Sequence, residues 1–460
     1  HSSDELCMRG VYVSASTIVF VTKPCHDRCH YGGPLLVQLA LNGMNFVDTQ
    51  QYFRFLEDTQ ITLIEPRVGS MYGDTPVIIT ATNMNSTTGF TCKFGDQVVR
   101  GSFLQDTGKL LCKTPASLIN HTVPVTIALD GQSYTSSPDC KTGSDSDRCF
   151  IYTSPLDIKR VYPSLGPYEG GTRITVIGSG FYGVQGVQGL CRFSSTTPNV
   201  PTLTSKMLFL DETHFICTSP PFVNVPIEEV YDFRVAANGV DFEQYPFFYQ
   251  TYAHPTLIAG VDESVNPIGS PLNGGTSVTI SGTGFIDSKD GIRVRWVVQR
   301  TDVDTGEVTV ISSYISGKAK FVSNTRIVVV TGKYPYGPST TRLSVSLNDG
   351  TDYSSPAPND FVFYQTPTIT AITPPLGPRL GETSVVVTGA GFVKLRSVAK
   401  CAFGDQHVPA VFDDSDVAGA AVFRCKSPPW PVPDWVNVEL AMDGLVPAAR
   451  ARSRAISRRR

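Results

Sequence analysis

The stretch Tyr162–Phe181, YPSLGPYEGGTRITVIGSGF, constrains this chain more than any other, because its pattern recurs. Pro163 and Gly166 mark one turn and Gly170-Gly171 a second. An alternating strand then runs from Thr172 to Ile177 and is closed by Gly178-Ser-Gly180-Phe181. Pro374 leads through Gly377 and Gly381-Glu-Thr383 to Gly389-Ala-Gly391-Phe392, and Pro267 through Gly274-Gly-Thr276 to Gly282-Thr-Gly284-Phe285; each Gly-x-Gly-Phe starts 15 residues after its proline. A weaker copy keeps Pro66, Gly69, Gly73 and Thr75 but has Ala81, Asn83 and Met84 in place of the closing motif. Four starts with one internal spacing make a repeat, and a repeat decides architecture before any single element does.

The starts fall 97, 104 and 107 residues apart. That is the size of a small domain, and 460 residues exceed what one core supports. Forty glycines and 33 prolines with only 17% charged residues suit many short strands joined by punctuated loops. No apolar run reaches 18 residues, so none of this sequence is expected to span a membrane, and any membrane link is expected through a span outside it. His1-Ser-Ser-Asp-Glu is polar from the start and does not read as a signal peptide. With the six arginines of the last sixteen residues set aside, the net charge of −3 becomes −9, a poor balance for binding a polyanion.

A second block closes each repeat: an alternating strand, an Asn/Asp-Gly turn and an aromatic strand. It occurs at Val125–Asp130-Gly131 with Phe150-Ile-Tyr152, at Phe233–Asn238-Gly239 with Phe247-Phe-Tyr249, and at Leu343–Asp349-Gly350 with Phe361-Val-Phe-Tyr364. Val37, Leu39, Leu41, Asn42-Gly43 and Tyr52–Phe55 match it with no Pro-Gly-Gly start before them, so residues 1–58 read as the back part of a domain. Full repeats are expected over 59–154, 155–253 and 254–366. A fourth, 367–446, is expected to lack its last strand, because no aromatic follows Asp443-Gly444 and arginines strand poorly in a buried edge, and 447–460 reads as a basic tail. The short, proline-bearing linkers favour sandwiches strung in series with little freedom at the joints.

Cysteines carry the most informative chemistry. Cys92-Lys-Phe94, Cys191-Arg-Phe193 and Cys401-Ala-Phe403 sit shortly after the closing turn, and Cys112, Cys217 and Cys425 each open a later Cys-x-Ser/Thr-Pro segment. The third repeat has Val294 and Val330 at the expected places, so both cysteines are lost together, as bonded partners should be. The expected bonds are Cys92–Cys112, Cys191–Cys217 and Cys401–Cys425, with Cys140–Cys149 pinning a short loop. Each inter-strand loop of 20 to 26 residues is worth about 3 kcal/mol of loop entropy. Such bonds imply an oxidising compartment, and the sequons at Asn85 and Asn120 agree with it as glycosylation sites.

Four other motifs resemble chemical sites. Gly178–Gly183 satisfies G-x-G-x-x-G, but no helix follows to hold a pyrophosphate, and the motif reads as a strand-ending turn. Cys25-His-Asp-Arg-Cys29-His30 crowds four possible ligands into six residues. A disulfide, local or to Cys7, is the plainer reading beside a metal site. Asp139–Cys149 is acidic but lacks a calcium ligand ladder. His121, His214, His254 and His407 have no repeated acid or serine partner, so no catalytic constellation, cofactor or metal is expected.

Together the Pro-x-x-Gly start, Gly-x-Gly-Phe turn, C-x-F strand, C-x-[ST]-P segment and Asx-Gly turn before F-x-Y resemble the IPT/TIG domain, the immunoglobulin-like fold of plexins, related receptors and some transcription factors. The resemblance covers 59–444, and 1–58 in part. It implies an all-β chain of tandem immunoglobulin-like sandwiches arranged as beads on a string, which is also what short alternating strands with inward Ile174, Val176, Val385 and Val387 dictate. It further implies a non-catalytic extracellular or cell-surface stalk, adhesion or ligand-binding ectodomain with a protein or glycan partner. Two alternatives are a carbohydrate-binding accessory region, with Trp430 and Trp435 as its aromatics, and an intracellular nucleic-acid binder, which the acidic body and paired cysteines disfavour. The excess length near Gln299–Lys320, with Asp304-Thr-Gly306 between β-branched runs, predicts a protruding hairpin in the third repeat, either a partner-contact surface or a plain long loop.

Overall fold

The computed structural model describes residues 7–22, 34–55, 57–84, 89–140, 147–181, 188–223, 225–243, 247–258, 264–301, 308–395, 399–414, 421–432, 435–444 and 449–451, and every regular element among them is a strand. The chain divides into two compact units, His1–Pro155 and Leu156–Arg460.

The repeat that starts the second unit serves as the pattern. Arg173–Ser179 alternates exposed and buried positions, so Ile174 and Val176 point inward while Arg173 faces water. On one side it pairs with Asp157–Tyr162 and on the other with His214–Thr218. The nine-residue strand Leu203–Asp211 pairs through its first part with Leu190–Ser195 and through its second with His214–Thr218, so it passes from one layer to the other. Leu190–Ser195 continues to Val230–Ala236, then Phe247–Tyr252, which takes Leu165–Pro167 as a parallel edge. Two layers thus close over Phe181, Phe193, Phe215, Phe222 and Phe233.

The same strand order recurs in the sandwich of Ile61–Thr153, in the third repeat, and in the fourth up to its parallel edge. The proline that opens each repeat follows a cis peptide bond in all four: Glu65-Pro66, Tyr162-Pro163, Asn266-Pro267 and Thr373-Pro374. The glycine seven residues after it is set by sterics. Gly170 and Gly381 both have φ 80°, and a Cβ would come within 2.5 Å of the Pro220 carbonyl carbon or 2.7 Å of that of Pro428. This is why glycine recurs opposite the Cys-x-Ser-Pro segment.

Residues Gly10–Ser14 and Thr17–Phe20 form one hairpin, and Leu35–Leu39 and Val47–Phe53 another. The second is the strand, Asn42-Gly43 turn and aromatic strand expected there, and most of its side chains are exposed.

Two expectations are corrected. The valine equivalent to the second cysteine is Val329, not Val330: Cys217 stands opposite Ile174 and Cys425 opposite Val385, and it is Val329 that stands opposite Val278. Val329 is 1% exposed and Val330 57%, because a slip of one residue moves a side chain to the other face of a strand. The fourth repeat also has a further strand. Ala449–Ala451 pairs antiparallel with Val438–Leu440, with Arg450 opposite Glu439. Strand pairing uses backbone amides and carbonyls, so an aromatic side chain is not a requirement for it.

Candidate functional site

Three cystines each tie one layer of a sandwich to the other. Cys92 and Cys112 are bonded with Cα atoms 6.4 Å apart, Cys191 and Cys217 with 6.2 Å, and Cys401 and Cys425 with 6.3 Å. Each pair joins the two layers, and all six cysteines are buried. In the sandwich of Ile61–Thr153, Gly101 lies directly beneath the bond, where a Cβ would approach the sulfurs of Cys112 and Cys92 to 3.1 and 3.2 Å. In the third repeat Val294 and Val329 occupy these positions, and Trp296, fully buried, takes the place of the phenylalanine in the other repeats. Cys140 and Cys149 are bonded with Cα atoms 5.9 Å apart.

A recurrent feature escaped the sequence reading. The residue between the cysteine and the phenylalanine in two repeats, and between Val294 and Trp296 in the third, is a cation, and each lies over an aromatic ring just past the Asx turn: Lys93 over Tyr134 at 5.8 Å, Arg192 over Phe242 at 3.9 Å, and Arg295 over Tyr353 at 3.9 Å. The fourth repeat has a buried Ala402 there. The signal was present as a basic residue in C-x-F, but its partner ring lies about 40 to 60 residues downstream at no constant offset. The Asx side chain holds the turn itself: the side-chain oxygen of Asp130 accepts from the amides of Gln132 and Ser133, and that of Asn238 from Val240 and Asp241.

The predicted hairpin is present. Ile292–Thr301 pairs with Val308–Ser323 from Ile292 opposite Ala319 to Thr301 opposite Val308; the turn at Asp304–Gly306 lies outside the described residues. Its base is anchored by Tyr314, whose ring stacks 5.7 Å from Trp296 and meets Tyr334 edge-on at 5.6 Å. Farther out the ribbon presents Val310 and Ile311, 61% and 62% exposed, and no charged residue stands between Val308 and Gly317.

Asn120 is exposed, and its side-chain amide donates to Ser154 Oγ at 2.8 Å. Asn85, Cys25, Cys29 and Gly183 lie outside the described residues. Gly180 has φ 80° and ends its strand, with Phe181 packed 4.6 Å from Phe215, so the first half of that glycine motif is turn and core. Of the acidic loop, Asp147 pairs with Arg67 at 3.1 Å, while 141–146 are outside the described residues. His214 Nδ1 lies 3.1 Å from Asp211, whose carboxyl is held down at about 2 chiefly by the side-chain and backbone hydrogen bonds of Thr213. The Thr213 hydroxyl lies 2.8 Å from His214 Nδ1 and donates to Asp211 at 2.6 Å, so the three residues form an exposed surface turn. The Trp430 ring is packed over Gly404, and Trp435 is exposed. Among the described residues no three His, Cys, Asp or Glu side chains gather as metal ligands.

The IPT/TIG domain matches residues 59–141, 156–250, 263–363 and 367–453. Human fibrocystin-L is 25% identical over 171 residues, 37% of this chain and 4% of that protein. Human plexin-A3 is 25% identical over 234 residues, 50% of this chain and 11% of that protein. The solved plexin A4 full extracellular region matches 86% of this chain and 47% of that one at 15% identity and a TM-score of 0.24. The chain spans only a small part of the length of either curated relative.

Proposed function

Because the chain belongs to the IPT/TIG domain family, we propose that it is a non-catalytic stretch of an extracellular or cell-surface protein, in which tandem sandwiches space and present a protein-binding surface. The observation that carries this is the set of buried cystines, one across the layers of each of three repeats. Reducing compartments do not maintain such bonds. The similarity to plexin-A3 and fibrocystin-L supports the same placement. A net charge near −9 without the terminal arginines argues against a polyanionic partner. The packing of Trp430 on Gly404 removes one of the two aromatics that a glycan platform would use, so a protein partner is the better reading. The exposed β-branched ribbon of the third repeat is the surface assigned to it.

Expression through the secretory pathway of cultured animal cells tests the placement. Peptide mapping without reductant is expected to recover Cys92–Cys112, Cys140–Cys149, Cys191–Cys217 and Cys401–Cys425 as linked pairs. Glycosidase treatment is expected to lower the mass at Asn85 and Asn120. Free thiols at Cys191 and Cys217 in secreted material would sink the proposal.

A further inference from the structure

Inside residues 156–460 two joints are built from equivalent parts. Leu165–Pro167 pairs in parallel with Gln250–Tyr252, and Gly269–Pro271 with Val362–Tyr364. Tyr252 and Tyr364 are therefore the same position, the last paired residue of each repeat's final strand. Neither ring belongs to the core of its own repeat. Tyr252, 1% exposed, packs in the cluster of Leu257, Val278, Phe285 and Trp296 of the third repeat. Tyr364, fully buried, packs in the cluster of Val385, Cys401 and Phe423 of the fourth. Burial pushes both phenols well above their usual range, so the plugs stay neutral.

The space beside each plug is filled in complementary ways. Leu165 of the second repeat enters the third repeat's cluster. Its equivalent in the third repeat is Gly269, where a Cβ would stand 3.2 Å from Leu395 of the fourth, and Leu395 packs on its own repeat's core. A leucine thus arrives from the preceding repeat at one joint and from the following repeat at the other, as close packing at a shared boundary requires. The first joint is also sealed by hydrogen bonds. Tyr162 Oη donates to Asp349 at 2.8 Å, the Ser164 amide to Asp290 at 2.7 Å, Thr172 Oγ1 to Asp352 at 2.7 Å, and the Asn348 side-chain amide to the Leu165 carbonyl at 3.2 Å.

We infer that the second, third and fourth repeats form one mechanical strut, coupled at each joint by a tyrosine that completes the core of the next sandwich. The coupling is a property of the chain itself and holds whatever the ectodomain binds. It is tested on the full chain with Tyr252→Ala and Tyr364→Ala, and with Tyr252→Phe and Tyr364→Phe as ring-keeping controls, by calorimetry and small-angle scattering. Each alanine variant is expected to lower the transition of the repeat that loses its plug by about 10 °C or more and to separate it from its neighbour. The scattering should show a broader spread of long distances, and the phenylalanine variants should match the parent. Hydrogen exchange of the parent in sub-denaturing urea decides the matter even where an alanine variant fails to fold. Amides of Phe247–Tyr252 and of Asp360–Tyr364 are expected to share one opening free energy with the strands of the repeat they plug. Alanine variants with unchanged transitions and scattering, or a parent whose exchange separates repeat by repeat, would overturn the inference.

Discussion

At the scale of single residues, the inward positions that hold a cystine in three repeats hold Val294 and Val329 in the third. Both are buried and face each other across the layers as their cysteine counterparts do. The double variant V294C/V329C is therefore expected to oxidise spontaneously and to raise the unfolding midpoint, with about 3–4 kcal/mol available from loop entropy. V294C/V330C is expected to stay reduced, because Val330 points to solvent. Thiol titration and mass spectrometry without reductant distinguish the two; an oxidised V294C/V330C would refute the register. The cysteines themselves were legible because their spacing recurs. The valine was not, since Ile327-Val-Val-Val330 is a run of like residues with nothing to mark which one faces inward.

Among elements, the extended ribbon of the third repeat joins two roles that sequence length alone could not separate. Its inner end is structural, because Tyr314 stacks on the buried Trp296, so deleting 300–318 would remove core along with surface. Val310→Ser with Ile311→Ser is the cleaner change. Both side chains are exposed, and the fold is expected to keep its stability within about 0.5 kcal/mol. Adhesion of beads coated with the chain to cultured cells, or self-association in sedimentation experiments, is expected to fall at least tenfold. If both readouts matched the parent, the ribbon would not be the contact surface. The extra length and β-branched composition were visible beforehand. That Val308–Ser323 pairs with one layer at its start and the other at its end was not, because a strand's change of layer depends on partners distant in sequence.

For the whole molecule, the fourth repeat's last sheet ends, among the described residues, on Ala449–Ala451, where the second repeat uses Phe247–Tyr252. A short terminal ladder opens at low free energy. Limited proteolysis is expected to cut first at this edge, between residues 444 and 460, before it cuts within 155–443. Equal resistance of all repeats would show that this edge is held as firmly as the others. The amino-acid order by itself determined the number of repeats, the alternating strands, the turn glycines and the paired cysteines, because each is a local pattern at a fixed spacing. Only the tertiary structure decided that Tyr252 and Tyr364 leave their own sandwiches. A ring at the end of a strand is buried by whichever neighbour offers a cavity, and that cavity is assembled from residues of the next repeat.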